Sequence, residues 1–146
     1  MSTRESGESL ETAIGAALAG TAEVAAAYLY GSAARQTATG LSDVDIALVA
    51  SGEVMDEERG QLLRQVTMEL ERLCRGSRFD VRFLDELPAA IAGRVVGEGK
   101  LVFETDPRRR VAAEVRARML YHDFLPFERY GTRVGIAELR RRLDVG

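Results

Sequence analysis

The stretch from 43 to 49 constrains the fold most. Val44, Ile46 and Leu48 alternate with Asp43, Asp45, Ala47 and Val49, which is the period of a β-strand. Its two aspartates therefore leave one face, roughly 7 Å apart along the backbone. Carboxylates so placed repel each other, and burying them without a cation is unfavourable. A second run, Val24 to Tyr30, predicts a buried strand that ends at Gly31.

The rest of the chain alternates between helical and strand periods. A helical pattern begins at Ser9, with Leu10, Ile14, Ala17 and Leu18 on one face and Gly20 placed to end it. Residues 1–8 are polar and read as a disordered lead. Asp56, Glu57 and Glu58 open a helix, as the macrodipole favours, and Leu62, Leu63, Val66, Leu70, Leu73 and Cys74 form its apolar stripe. From Arg78 to Leu84 strand alternation returns, with Phe79, Val81 and Phe83 on one side and Asp80 and Arg82 on the other. A helix is expected from about Asp85 with Pro88 in its first turn, then a short strand from Lys100 to Glu104. Asp106-Pro107 is a cap followed by a first-turn proline, and starts a helix running towards Tyr121. Residues 122–146 read as a C-terminal tail with a last helical stretch near Ile136 to Leu143. The order predicts an α/β domain, a sheet covered by helices, with strand order left open.

A length of 146 residues suits one domain with a single core. The formal charge of -3 gives no electrostatic reason to expect binding to a long nucleic acid. Cys74 is the only cysteine, so no internal disulfide forms, and its place in a helical stripe suits core packing. No apolar h-region follows Met1, and no apolar run reaches the roughly 18 residues that span a bilayer. The expected compartment is the cytoplasm, with no membrane partner.

Chemistry gathers around the two strands. Hard divalent ions bind oxygen ligands, and Mg²⁺ combines one or two carboxylates with substrate phosphates. Asp80 projects from another strand; if that strand lies beside the first, it joins Asp43 and Asp45. Two ions about 3.5–4 Å apart could then share the three and clamp attacking and leaving oxygens. Gly31-Ser32 lies where a strand turns into a short helix, Ser32 to Arg35, whose first N–H groups favour phosphate oxygens. Arg35 is one turn along, within reach of a phosphate. A loop from Thr37 to Ser42 returns the chain to the second strand.

These segments, Leu29-Tyr30-Gly31-Ser32-Ala33-Ala34-Arg35 and Leu41-Ser42-Asp43-Val44-Asp45-Ile46, resemble the nucleotidyltransferase superfamily with the DNA-polymerase-β-like catalytic fold. The match is to its Gly-Ser, ten residues, Asp-x-Asp spacing. Gln36 departs from it, since many members have glycine there. The similarity extends through Phe79-Asp80-Val81-Arg82-Phe83-Leu84 and Gly97-Glu98-Gly99 to Tyr121-His122-Asp123, most of the chain. The resemblance implies a mixed sheet, two Mg²⁺ ions held by Asp43, Asp45 and Asp80, and an acceptor hydroxyl activated by Asp80. It implies nucleotide binding by Gly31, Ser32, Arg35 and Ser42.

Only 66 residues follow Asp80, the difference between 146 and 80, which leaves little surface for an acceptor. That directs the resemblance to minimal nucleotidyltransferases, antitoxins paired with HEPN-domain ribonuclease toxins. It implies transfer of AMP from ATP to a tyrosine of the toxin. Alternatives are an antitoxin that only occludes its partner, and a transferase acting on a small molecule such as an aminoglycoside. His122, the only histidine, suits a general base by residue type, but its expected place after a helix favours a surface or capping role. Arg108-Arg109-Arg110 and Arg140-Arg141-Arg142 look like nucleic-acid patches but suit solvated helix faces better, with contacts to an acidic partner as the alternative. Arg82 has two readings, a partner for Asp80 or a phosphate contact.

Overall fold

The computed structural model describes the backbone of residues 3–31 and 43–130, and the side chains of 10–31 and 43–125. In chain order the elements are α1 (Thr3–Leu18), β1 (Val24–Tyr30), β2 (Val44–Ala50), α2 (Asp56–Leu73), β3 (Phe79–Phe83), a 3₁₀ turn (Leu84–Glu86), α3 (Ala89–Glu98), β4 (Lys100–Glu104) and α4 (Pro107–Tyr130). The four strands form one mixed sheet in the order β3-β2-β1-β4. β1 runs antiparallel to both β2 and β4, while β2 and β3 are parallel. A parallel pair needs a crossover of a dozen or more residues, and the 18 residues of α2 supply it.

Strand alternation decides the layers. Val44, Ile46, Leu48, Phe79, Val81 and Phe83 face α1 and α2, where they meet Ile14, Leu18, Leu62, Val66 and Leu70. The other face carries Ala26, Tyr28, Ala47 and Val49 against Ala92, Val95 and Ala117 of α3 and α4. That second layer is rich in alanine, so the helices lie close to the sheet. Tyr28 fixes α4 through its hydroxyl, which donates to the Glu114 carboxylate, itself held by Arg110 Nη1 at 2.8 Å. Gly93 lets the two helices pack, since a Cβ there would collide with the Tyr121 ring.

Several boundaries differ from the periodic signal. α1 begins at Thr3, before the apolar face starts, because a nucleated helix gains one backbone bond per added residue whether or not it buries a side chain. The helix expected from Asp85 divides: Leu84–Glu86 is a 3₁₀ turn, and α3 begins after Pro88. Proline disfavours helical geometry in the residue before it, and Leu87 is extended at φ -76, ψ 147. α4 continues past Tyr121 to Tyr130, so His122 lies within a helix, exposed, not after one. The Asp106 cap is present, its Oδ1 accepting from the Arg109 N–H at 3.2 Å. The helix expected at 32–35, the loop at 37–42 and the helical stretch near 136–143 lie outside the described residues. No described helix is long and apolar enough to cross a membrane.

Phe83 is the largest fully buried side chain, and the Arg59 guanidinium caps its ring at 4.6 Å. Phe83→Ala should cost about 3–5 kcal/mol. A urea titration checks this: the midpoint should fall while the slope is unchanged.

Candidate functional site

The strand pairings place the acidic residues. Tyr30 of β1 lies opposite Asp45 of β2, and Asp45 lies beside Asp80 of β3. One row across three strands thus reads Tyr30, Asp45, Asp80, and residues in register on adjacent strands share a face. That face is the one carrying α3 and α4, because the neighbours of Asp45 and Asp80 in sequence face α1 and α2. Asp43 precedes β2 and is exposed. Parallel pairing of β2 with β3 brings Asp80 next to Asp45 although 35 residues, 80 minus 45, separate them.

The electrostatics follow from the row. Burial pushes the Asp45 carboxyl above the ordinary aspartate range, and the charges of Asp80 and Asp43 push it further, with Arg82 opposing. The Tyr30 hydroxyl is driven up to about 12, first by burial and then by Asp45 and Asp80. Arg82 Nε donates to Asp80 Oδ1 at 3.2 Å, which gives Arg82 the first of its two sequence readings. Among the described residues, no three histidine, cysteine, aspartate or glutamate side chains stand together as a ready metal-ligand set.

Gly31 has a second role that spacing did not reveal. Its φ is +72°, a region that costs any residue with a Cβ. A Cβ at this position would also stand 2.7 Å from Asp45 Oδ2. The glycine therefore lets β1 turn away while the Asp45 carboxylate packs against bare backbone. Tyr30 was likewise overlooked; its only sequence signal is its place just before Gly31. Ser32, Arg35 and Ser42 lie outside the described residues. Cys74 packs partly buried against the core, and burial raises its thiol.

An oxygen-only donor set in which one carboxylate is already destabilised by two others suits a hard divalent cation. Asp43, Asp45 and Asp80 fit such an ion by chemistry, with Arg82 as the local positive charge until one binds.

A family model described as Polymerase beta, Nucleotidyltransferase matches residues 13–108. No curated protein matches the chain. Among solved structures, a chain of a toxin–antitoxin complex with AMP-PNP superposes with a TM-score of 0.62 at 22% identity, over 88% of this chain and 95% of that one. A chain from tri-AMPylated Shewanella oneidensis HEPN toxin in complex with MNT antitoxin gives 0.59 at 20% identity, over 90% and 96%. The toxin–antitoxin MntA-HepT gives 0.57 at 21% identity, over 88% and 94%. At such identities the likeness is one of fold.

Proposed function

The chain belongs to the polymerase beta nucleotidyltransferase family, and we propose that it transfers AMP from ATP to a tyrosine hydroxyl of a HEPN ribonuclease toxin, which is silenced by the modification. The observation that carries this reading is the row Tyr30, Asp45, Asp80, with the Gly31 backbone set against the Asp45 carboxylate. Solved relatives of the same fold include a toxin–antitoxin complex with AMP-PNP and one with a tri-AMPylated HEPN toxin, which supports ATP as donor and a toxin as acceptor. The cytoplasm is the proposed setting.

In this reading Asp43, Asp45 and Asp80 hold Mg²⁺, which when bound neutralises charge on the phosphate oxygens. Gly31, Ser32, Arg35 and Ser42 bind the nucleotide; at Gly31 the absence of a side chain permits close backbone approach. Asp80 accepts the proton of the acceptor hydroxyl. The hydroxyl oxygen bonds to the α-phosphorus as the bond to the bridging oxygen breaks, and pyrophosphate leaves. Arg82 holds Asp80 in place from the same face of the sheet.

The test is incubation with labelled ATP, Mg²⁺ and the protein encoded by the neighbouring gene, followed by mass spectrometry of that partner. Addition of AMP to a partner tyrosine, lost in the Asp43→Asn/Asp45→Asn variant, is the expected result. A partner that binds but stays unmodified would show occlusion without catalysis. Label that persists in the double variant would refute the assigned roles.

A further inference from the structure

At the end of β2 remote from the acidic row, a cleft of about 260 Å³ opens between α4, the 84–87 turn and the start of α2. Its floor is Leu48, Val49, Leu84 and Leu87, all buried. The α4 wall is built of Ala112, Ala113 and Ala117, and their small side chains leave the space open. The floor is separated from the acidic row by the four residue steps from Asp45 to Val49, roughly 13 Å of extended strand.

The charges around the cleft are unlike those of the chain. Three arginines line it, Arg59, Arg109 and Arg116, against one acid, Asp85, although the protein carries a net charge of -3. Asp85 is already taken: Arg59 grips it with Nη1 at 2.8 Å and Nη2 at 2.9 Å. Arg59 also donates to Glu86 at 3.2 Å, so that guanidinium is satisfied and fixed. Arg109 and Arg116 differ. They lie seven residues apart, on one side of α4, and both are exposed. Among the described residues, neither guanidinium closes an ion pair, Arg116 having only a longer-range attraction to Asp85. Positive charge at the mouth of an apolar cleft concentrates anions there.

We propose that this cleft binds an amphipathic anion, a small molecule with a carboxylate, sulfonate or phosphate on an apolar or aromatic body. The apolar floor takes the body, and Arg109 and Arg116 hold the anionic group at the rim. A neutral apolar ligand would gain nothing from the two exposed guanidiniums, and a bare inorganic anion would leave the floor unfilled. This inference does not depend on the proposed transfer reaction.

The probe is anilinonaphthalene sulfonate, a sulfonate on an aromatic body, titrated into the whole chain and followed by its emission. Saturation at one equivalent and displacement by decanoate are expected. Arg109→Gln and Arg116→Gln should each weaken binding about tenfold, as loss of a charge-assisted hydrogen bond does. Ala112→Phe, at an exposed position of the mouth, should weaken it comparably by filling the space. Arg118→Gln, exposed and outside the lining, should leave it unchanged, and thermal melts verify that each variant is folded. Equal binding by the three cleft variants and the parent would overturn the proposal. So would displacement of the probe by AMP-PNP, which would assign the cleft to the nucleotide site.

Discussion

Asp45→Asn should reduce adenylyl transfer by about 10³-fold, the loss expected when several kcal/mol of metal-held charge is removed from a transition state, while leaving the protein at least as stable as the parent. The second half distinguishes a functional carboxylate from a structural one. In the fold Asp45 is half-buried beside Asp80 and Asp43, and its pKa is raised. The sign follows from linkage. A carboxyl whose folded pKa is raised binds its proton more tightly when folded, so its contribution to stability is fully present below the unfolded pKa, about 3.9. That contribution is lost as pH rises through the folded value. Above its folded pKa the ionised Asp45 therefore works against folding, and the asparagine, which carries no charge, removes the penalty. Thermal melts of both proteins should show the variant equal or higher at neutral pH, with the gap closing as pH falls towards the unfolded aspartate pKa. A variant clearly less stable at neutral pH would contradict this account of the cluster. Added Mg²⁺ should raise the melting temperature of the parent but not of the variant, since a ligand that binds only the folded state stabilises it.

Gly31→Ala should lower stability by about 1–3 kcal/mol and reduce transfer as well. Two causes act together. The backbone at φ +72° is strained for alanine, and the added methyl meets Asp45 Oδ2. A double-mutant cycle separates them. The strain is independent of Asp45, whereas the contact disappears when Asp45 is cut back to alanine. Chemical denaturation of Gly31→Ala, Asp45→Ala and the double variant should therefore show the glycine change to be less destabilising in the Asp45→Ala background. Strict additivity would mean that the carboxylate moves aside freely and that only the backbone strain matters.

The strands were the most legible part of the chain. Val24 to Tyr30 and Lys100 to Glu104 match β1 and β4 residue for residue; β1 is marked as a short apolar run ending at Gly31, buried on both faces. Their order was not legible, since nothing local in β2 records that β3 is its parallel neighbour. The juxtaposition of Asp45 and Asp80 was accordingly a conditional expectation, met by the register of that pair. Arg82 shows the same limit in reverse: its partner on the described structure is two residues away, yet either reading suited the alternation. Helix ends were least legible. Pro88 delays α3 through a backbone restriction on Leu87, and α4 continues past Tyr121 to Tyr130 over polar, apolar and aromatic residues that follow no clear apolar period. Gly31 was found by its motif, but its contact with Asp45 arises from strand pairing, which spacing cannot encode.

The alanine layer between the sheet and α3 and α4 bears on how freely a sequence of this kind can drift. Ala26 and Ala47 lie with Ala92 and Ala117 in that layer, and a larger side chain at Ala26 or Ala47, which are fully buried and outside the cleft lining, would press on the helices above. Ala47 lies two residues from Asp45 on the same strand and face. A neutral-looking exchange of alanine for valine there would displace α4, the Tyr28 tether to Glu114 and one wall of the arginine-rimmed cleft together. Positions that perform no chemistry are thus tied to those that do, and their variation should be restricted to the smallest residues for reasons of thickness alone.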